Sequence, residues 1–132
     1  MNPKEYKYTR EHEWICPDSE DKGKMGLTDY AQDQLGDLVF LDLPATGTQV
    51  EQSKKIGEIE SVKAVSDLFS PISGRVLEVN QAAIDEPQLV NQDPYGAGWL
   101  VRLELSNPAE LDALMNSNEY DKFVAGLEEE SE

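Results

Sequence analysis

The stretch Ile56-Gly57-Glu58-Ile59-Glu60-Ser61-Val62 sets apolar and polar residues in near alternation, and after Lys63-Ala64 a similar pattern resumes through Val65, Leu68 and Phe69. A period of two puts successive side chains on opposite faces of a strand, so this segment predicts two half-buried strands that meet close to Lys63. A primary amine at the tip of a tight hairpin suits a covalently attached swinging arm, because one enzyme must acylate it and other active sites must later reach the arm. Lys63 meets that demand. Glu60 and Asp67 beside it favour the ammonium form, so an acylating enzyme has to remove a proton first. From the residues alone, however, Lys63 reads more readily as a solvated hairpin lysine.

On the amino-terminal side, residues from His12 to Leu43 read as strand, turn, strand, short helix and strand, with Pro17 to Gly23 as the polar turn. Thr28 is placed to cap the helix, Asp29 suits its positive end, and Gly36 suits its stop. The apolar run Leu38-Val39-Phe40-Leu41, closed by Pro44 and Gly47, predicts a buried strand. On the other side, Pro71, Ser73 and Gly74 mark a turn and Arg75 to Val79 a strand. A long loop then runs to Gly98, anchored by Pro94-Tyr95-Gly96 and Gly98-Trp99, with Trp99 to Leu105 as the last strand. Asn107, Pro108 and Glu110 stand in the order of a capping box, opening a helix that turns Leu111, Leu114 and Met115 inward. Tyr120, Phe123, Val124 and Leu127 recur at helical spacing, Gly126 suits the stop, and residues 128–132 are expected to be a short acidic tail.

With 132 residues the chain is expected to be a single domain, residues 1–132. Its 27 acidic side chains against 11 basic ones give a formal charge of -16, which repels phosphate backbones and anionic lipid, so neither nucleic acid nor membrane is expected as a partner. The same field speeds encounter with proteins that carry basic docking surfaces. Cys16 is the only cysteine and His12 the only histidine, which excludes an internal disulfide and a zinc site of several Cys and His ligands; no metal is expected. No apolar signal core or bilayer-length run occurs, so the cytoplasm is the expected location. His12 has no evident nucleophile beside it and there is no phosphate-binding Gly-rich loop, so no catalytic residue is expected. Trp14, Tyr95 and Trp99 read as core or loop anchors.

Glu60-Ser61-Val62-Lys63-Ala64, followed by Ser66-Asp67 and Ser70-Pro71-Ile72-Ser73-Gly74, resembles the lipoylation segment of glycine cleavage system H proteins. His12-Glu13-Trp14, Gly26-Leu27-Thr28-Asp29-Tyr30-Ala31-Gln32, Leu35-Gly36-Asp37 and Leu43-Pro44 resemble the amino-terminal half of that family. Asn80, Pro87, Leu89, Asn91, Pro94-Tyr95-Gly96 and Gly98-Trp99 extend the likeness over nearly the whole chain. The resemblance implies a mainly β fold with peripheral helices, a hybrid barrel-sandwich of the biotinyl/lipoyl carrier type. It implies lipoic acid attached to Lys63 as a lipoyl-lysine, with Glu60, Ser61, Val62, Ala64 and Asp67 forming the recognised hairpin and Glu13 in the cleft that receives the arm. It further implies a non-catalytic carrier that takes the aminomethyl group of glycine from glycine decarboxylase (P protein) to aminomethyltransferase (T protein) and delivers the reduced arm to dihydrolipoyl dehydrogenase (L protein). A lipoate ligase or octanoyltransferase would attach the arm. The expected oligomeric state is a monomer, because a carrier that visits several active sites needs free surface.

The sequence departs from the family between Ile15 and Met25, where Cys16-Pro17 and Lys22-Gly23-Lys24 replace the more usual residues. An H-like lipoyl carrier serving a sulfur-oxidation enzyme system is therefore the alternative. Biotin carriage is a more distant one, since its usual motif places methionine on both sides of the lysine and here the flanks are Val62 and Ala64. A non-carrier scaffold needs only the charge and packing of Lys63.

Overall fold

The structure is a computed structural model that describes residues 3–130. Two antiparallel sheets enclose the core. The larger contains β1 (Lys7–Tyr8), β2 (Glu13–Ser19), β3 (Lys22–Leu27), β9 (Val101–Leu105), β8 (Gly74–Val79) and β5 (Gln49–Val50), in that spatial order. The smaller is β4 (Leu38–Asp42), β6 (Lys55–Ser61) and β7 (Val65–Phe69), with β6 in the middle. Alternation along the strands supplies the inner faces: Ile15, Met25, Val76, Val101 and Leu103 from one sheet meet Leu38, Leu41, Ile59 and Leu68 from the other. This is the mainly β sandwich with helices outside that the sequence predicts.

The expected hairpin is present, with Glu58 opposite Asp67, Ile59 opposite Ser66 and Glu60 opposite Val65, so Lys63 falls in the turn. Gly57 is required by close approach: a Cβ there would stand 2.1 Å from the Asp42 carbonyl oxygen. The short helix α1 (Asp29–Leu35) is bounded as expected. Thr28 Oγ1 accepts the Ala31 N–H at 3.2 Å, and Gly36, at φ +80°, donates its N–H to the Gln32 carbonyl.

Several boundaries differ from the sequence reading. The first hairpin continues through Pro17 to Ser19 and resumes at Lys22, so the turn is far shorter than Pro17 to Gly23; a register shift between Pro17 and Ser19 absorbs the proline. The run Leu38-Val39-Phe40-Leu41 is not buried throughout, because a shift between Leu38 and Phe40 leaves Val39 and Phe40 outside while Leu38 and Leu41 face the core. The long loop before Gly98 holds two short helices, α2 (Gln81–Asp85) and α3 (Gln88–Gln92). The last strand starts at Val101, not Trp99.

At the carboxy-terminal end the capping box is not formed. Asn107 makes no side-chain cap, and Glu110 instead accepts the Ser73 N–H at 2.7 Å and the Ser73 hydroxyl at 2.9 Å, leaving Pro108–Ala113 as a 3-10 helix. Leu111 and Leu114 still pack on the core. Helix α4 (Ser117–Glu130) passes through Gly126, so the glycine is not its stop, and the expected tail begins no earlier than Ser131, outside the described residues. Tyr120 from α4 stacks on Tyr8 of β1, a strand with no sequence signal, whose Tyr8 exchanges backbone hydrogen bonds with Met115. With Trp14 these rings form a second core cluster, joined at its margin by Tyr6, Tyr95 and Trp99; the last two are the loop anchors the sequence suggested.

Candidate functional site

The Lys63 turn is held from inside by one hydroxyl. Ser61 is buried, its N–H donates to the Ala64 carbonyl at 2.8 Å, and its Oγ accepts the backbone N–H groups of Lys63 (3.2 Å) and Ala64 (3.1 Å). A serine side chain that binds its own turn in this way fixes the tip without occupying its outer surface. Val62 N–H donates to the Asp37 carbonyl at 3.0 Å, which ties the tip to the segment between α1 and β4. That segment is in turn clamped by Asn91 of α3: Nδ2 donates to Gln32 Oε1 and to the Gly36 carbonyl, both at 2.9 Å, and Oδ1 accepts the Leu38 N–H at 3.0 Å. Helix α3, far along the chain, thus backs the lysine turn through two relays.

Lys63, Val62 and Ala64 are exposed. A Cβ on Gly36 would lie 3.6 Å from Lys63 Cε, so the lysine stem passes over the glycine. Among the described residues the Lys63 ammonium has no ion pair with Glu60, Asp67 or any other acid. Asp67 pairs with Lys55 at 3.1 Å, and the same ammonium takes Glu58 at 2.7 Å. Glu60 stands outward on β6, directly between Phe40 of β4 and Val65 of β7. The tip therefore presents a free primary amine on an ordered support.

A cleft of about 170 Å³ opens between α1 and the β6–β7 hairpin. Leu27, Leu35 and Ile59 give it an apolar floor, with His12, Tyr30 and Asp67 around it. His12 has φ +69°, and its Nδ1 lies 2.8 Å from the Tyr120 hydroxyl, which itself lies 2.7 Å from Thr28 Oγ1. Its ring packs against Tyr30 and Phe123, and burial pushes its pKa down. These contacts accord with packing and a hydrogen bond rather than with proton transfer.

Glu13 is 1% exposed, one residue beyond the cleft-lining His12. Its Oε1 accepts the Thr9 hydroxyl at 2.8 Å and its Oε2 the Phe69 N–H at 2.9 Å, so the side chain bridges the two sheets. Burial pushes its pKa from the ordinary carboxylate range up to about 8, against the opposing pull of those two hydrogen bonds. The carboxylate is thus neither an exposed strand acid nor part of the cleft wall itself.

Cys16 is half-buried at the edge of the aromatic cluster, and burial pushes its thiol up, away from the reactive thiolate. Among the described residues no group of three or more His, Cys, Asp or Glu side chains is placed to hold a metal ion, and no helix is long and apolar enough to cross a membrane. Sequence reasoning missed the clamp made by Asn91 and the backbone tie from Asp37. Neither carries a local signal, since each acts through contacts between elements distant in sequence.

The family model for glycine cleavage H-protein matches residues 6–126. A glycine cleavage system H protein of Carboxydothermus hydrogenoformans is 52% identical over 130 residues, covering 98% of this chain and 97% of the relative. One from Symbiobacterium thermophilum is 53% identical over 122 residues, covering 92% and 94%. Among solved structures, the crystal structure of a glycine cleavage system H protein from Mycobacterium marinum superposes with a TM-score of 0.82 at 41% identity, covering 90% of this chain and 95% of that one.

Proposed function

The chain belongs to the glycine cleavage H-protein family, and we propose from that premise that Lys63 is the residue that carries its lipoyl group. The protein is a lipoyl carrier of the glycine cleavage system. The relatives are named for glycine cleavage, which favours that pathway over the sulfur-oxidation alternative. The observation that carries the assignment is the free amine of Lys63 on a turn fixed by Ser61 and backed by Asp37 and Asn91.

The residues present suit a lipoyl arm. The lysine is unpaired and outward, and an apolar cleft lies beside the hairpin. A bound lipoyl group supplies a dithiolane that takes up the aminomethyl group of glycine and hands it on. The chain itself tethers, shelters and presents. Ser61 holds the turn so that Lys63 projects, and Leu27, Leu35 and Ile59 limit water in the cleft. Toward a cationic amine in the cleft the chain offers Asp67 at the rim and Glu13 behind it. Each Glu13 oxygen accepts one hydrogen bond and keeps a lone pair, and a nearby cation would favour its ionised form. In this reading Glu60, Ser61, Val62, Ala64 and Asp67 form the hairpin that the attaching enzyme recognises.

The same reading makes the chain a single carrier domain with no catalysis of its own. As a cytoplasmic monomer it would visit glycine decarboxylase, aminomethyltransferase and dihydrolipoyl dehydrogenase in turn. The test is glycine-dependent exchange of labelled bicarbonate by glycine decarboxylase with the lipoylated chain as acceptor. Exchange that is lost in Lys63→Arg supports the assignment; full lipoylation at Lys63 without exchange contradicts it and returns the sulfur-oxidation reading.

A further inference from the structure

Among the described residues, the exposed large apolar side chains are Val39 (48%), Phe40 (55%), Val62 (68%) and Val65 (60%), and all four belong to the Lys63 hairpin or to the strand beside it. Single outward hydrophobics are ordinary, but a cluster against an otherwise strongly acidic surface marks a contact face. The strand registers order it. Phe40, Glu60 and Val65 stand opposite one another across β4, β6 and β7, in the rank nearest the tip; the next outward rank is Asp42, Glu58 and Asp67. Lys55 offsets part of that second rank through its bridges to Glu58 and Asp67. The outer face of the small sheet therefore sets Phe40 and Val65 on either side of Glu60 beside the lysine, framed on the far side by a second rank of carboxylates.

We infer that this face is the docking surface for the lipoate ligase that modifies Lys63, and that the ligase meets it with an apolar depression bordered by lysine or arginine side chains. The inference rests on Lys63 being the attachment site. An enzyme that uses the finished arm can be reached at the arm's full length, so its contacts need not touch the turn. The attaching enzyme has to bring Nζ itself to its activated acyl group, which brings the surface next to Lys63 into its mouth. There the amine attacks the acyl carbon of lipoyl adenylate, made from lipoate and ATP. The C–N amide bond forms, the acyl C–O bond breaks, AMP leaves with the electron pair, and the amine's proton passes to solvent. Burial of Phe40 and Val65 supplies affinity, and the acidic rank supplies orientation and salt-sensitive association.

The experiment uses the unmodified full chain with purified lipoate ligase, lipoate and ATP, and follows initial rates by intact mass over a range of chain concentrations. Phe40→Ser and Val65→Thr should each raise KM about 10- to 30-fold with kcat little changed, as expected of truncated contact residues. Asp42→Asn should flatten the dependence of kcat/KM on salt. Each substitution is at an exposed side chain, and urea unfolding shows whether the fold is retained. Wild-type KM in both apolar variants would overturn the docking surface. A wild-type chain left unmodified beside a control carrier that is modified would instead overturn the Lys63 assignment.

Discussion

Replacing Glu13 by glutamine should change how stability depends on pH, with a sign that follows from its burial. The unfolded side chain titrates near its ordinary value of 4.5, whereas the folded one titrates at about 8. A folded pKa above the unfolded one means that the native state holds a proton the unfolded state has lost. This contribution is fully present below about pH 4.5 and is lost as pH rises through about 8. Each pH unit within that window costs about 1.4 kcal/mol, so the whole effect is on the order of 5 kcal/mol. Glutamine has nearly the same shape, can accept the Phe69 N–H with its oxygen and can donate to Thr9 Oγ1 with its amide nitrogen, and does not titrate. Urea unfolding of wild type and Glu13→Gln at half-unit steps from pH 5 to pH 9 isolates the effect, because the remaining carboxylates cancel in the difference. The stability of Glu13→Gln relative to wild type should climb steadily between pH 5 and pH 8 and then level off. Parallel pH profiles would show that Glu13 does not retain its proton in the folded chain.

Other changes test the support of the lysine turn. Ser61→Ala removes the acceptor for two amides and should cost about 1 kcal/mol in urea unfolding, with faster hydrogen exchange at Lys63 and Ala64. Asn91→Ala removes three hydrogen bonds from α1 and the start of β4 and should cost about 3 kcal/mol, read as a lower urea midpoint. Gly57→Ala brings a Cβ against the backbone oxygen of Asp42 in the middle of the small sheet and should cost about 2 kcal/mol or more, measured as a fall in Tm.

The β6–β7 hairpin was legible because its alternation, the break at Lys63 and the Pro71 to Gly74 turn all point to the same register. The α1 caps were legible for a similar reason: Thr28 and Gly36 act within their own turn. The signals that failed compete with tertiary contacts. Glu110 stands where a capping box needs it but finds Ser73 of another element, and Gly126 is tolerated inside a helix whose Tyr120 side is held by the aromatic cluster. Leu38 to Leu41 read as buried because composition cannot show the register shift that turns Val39 and Phe40 outward. At the site, Lys63 and its flanks could be found in the sequence, whereas the burial of Glu13 and the Asn91 clamp depend on how the sheets and α3 come together.

Whether Lys63 is the lipoyl attachment site is read by intact mass with peptide mapping after co-expression with a lipoate ligase and added lipoate. One lipoyl group per chain, located on Lys63 and absent from Lys63→Arg, is the result expected. An unmodified Lys63 in cells that lipoylate a control carrier, or a lipoyl group on any other lysine, would contradict it.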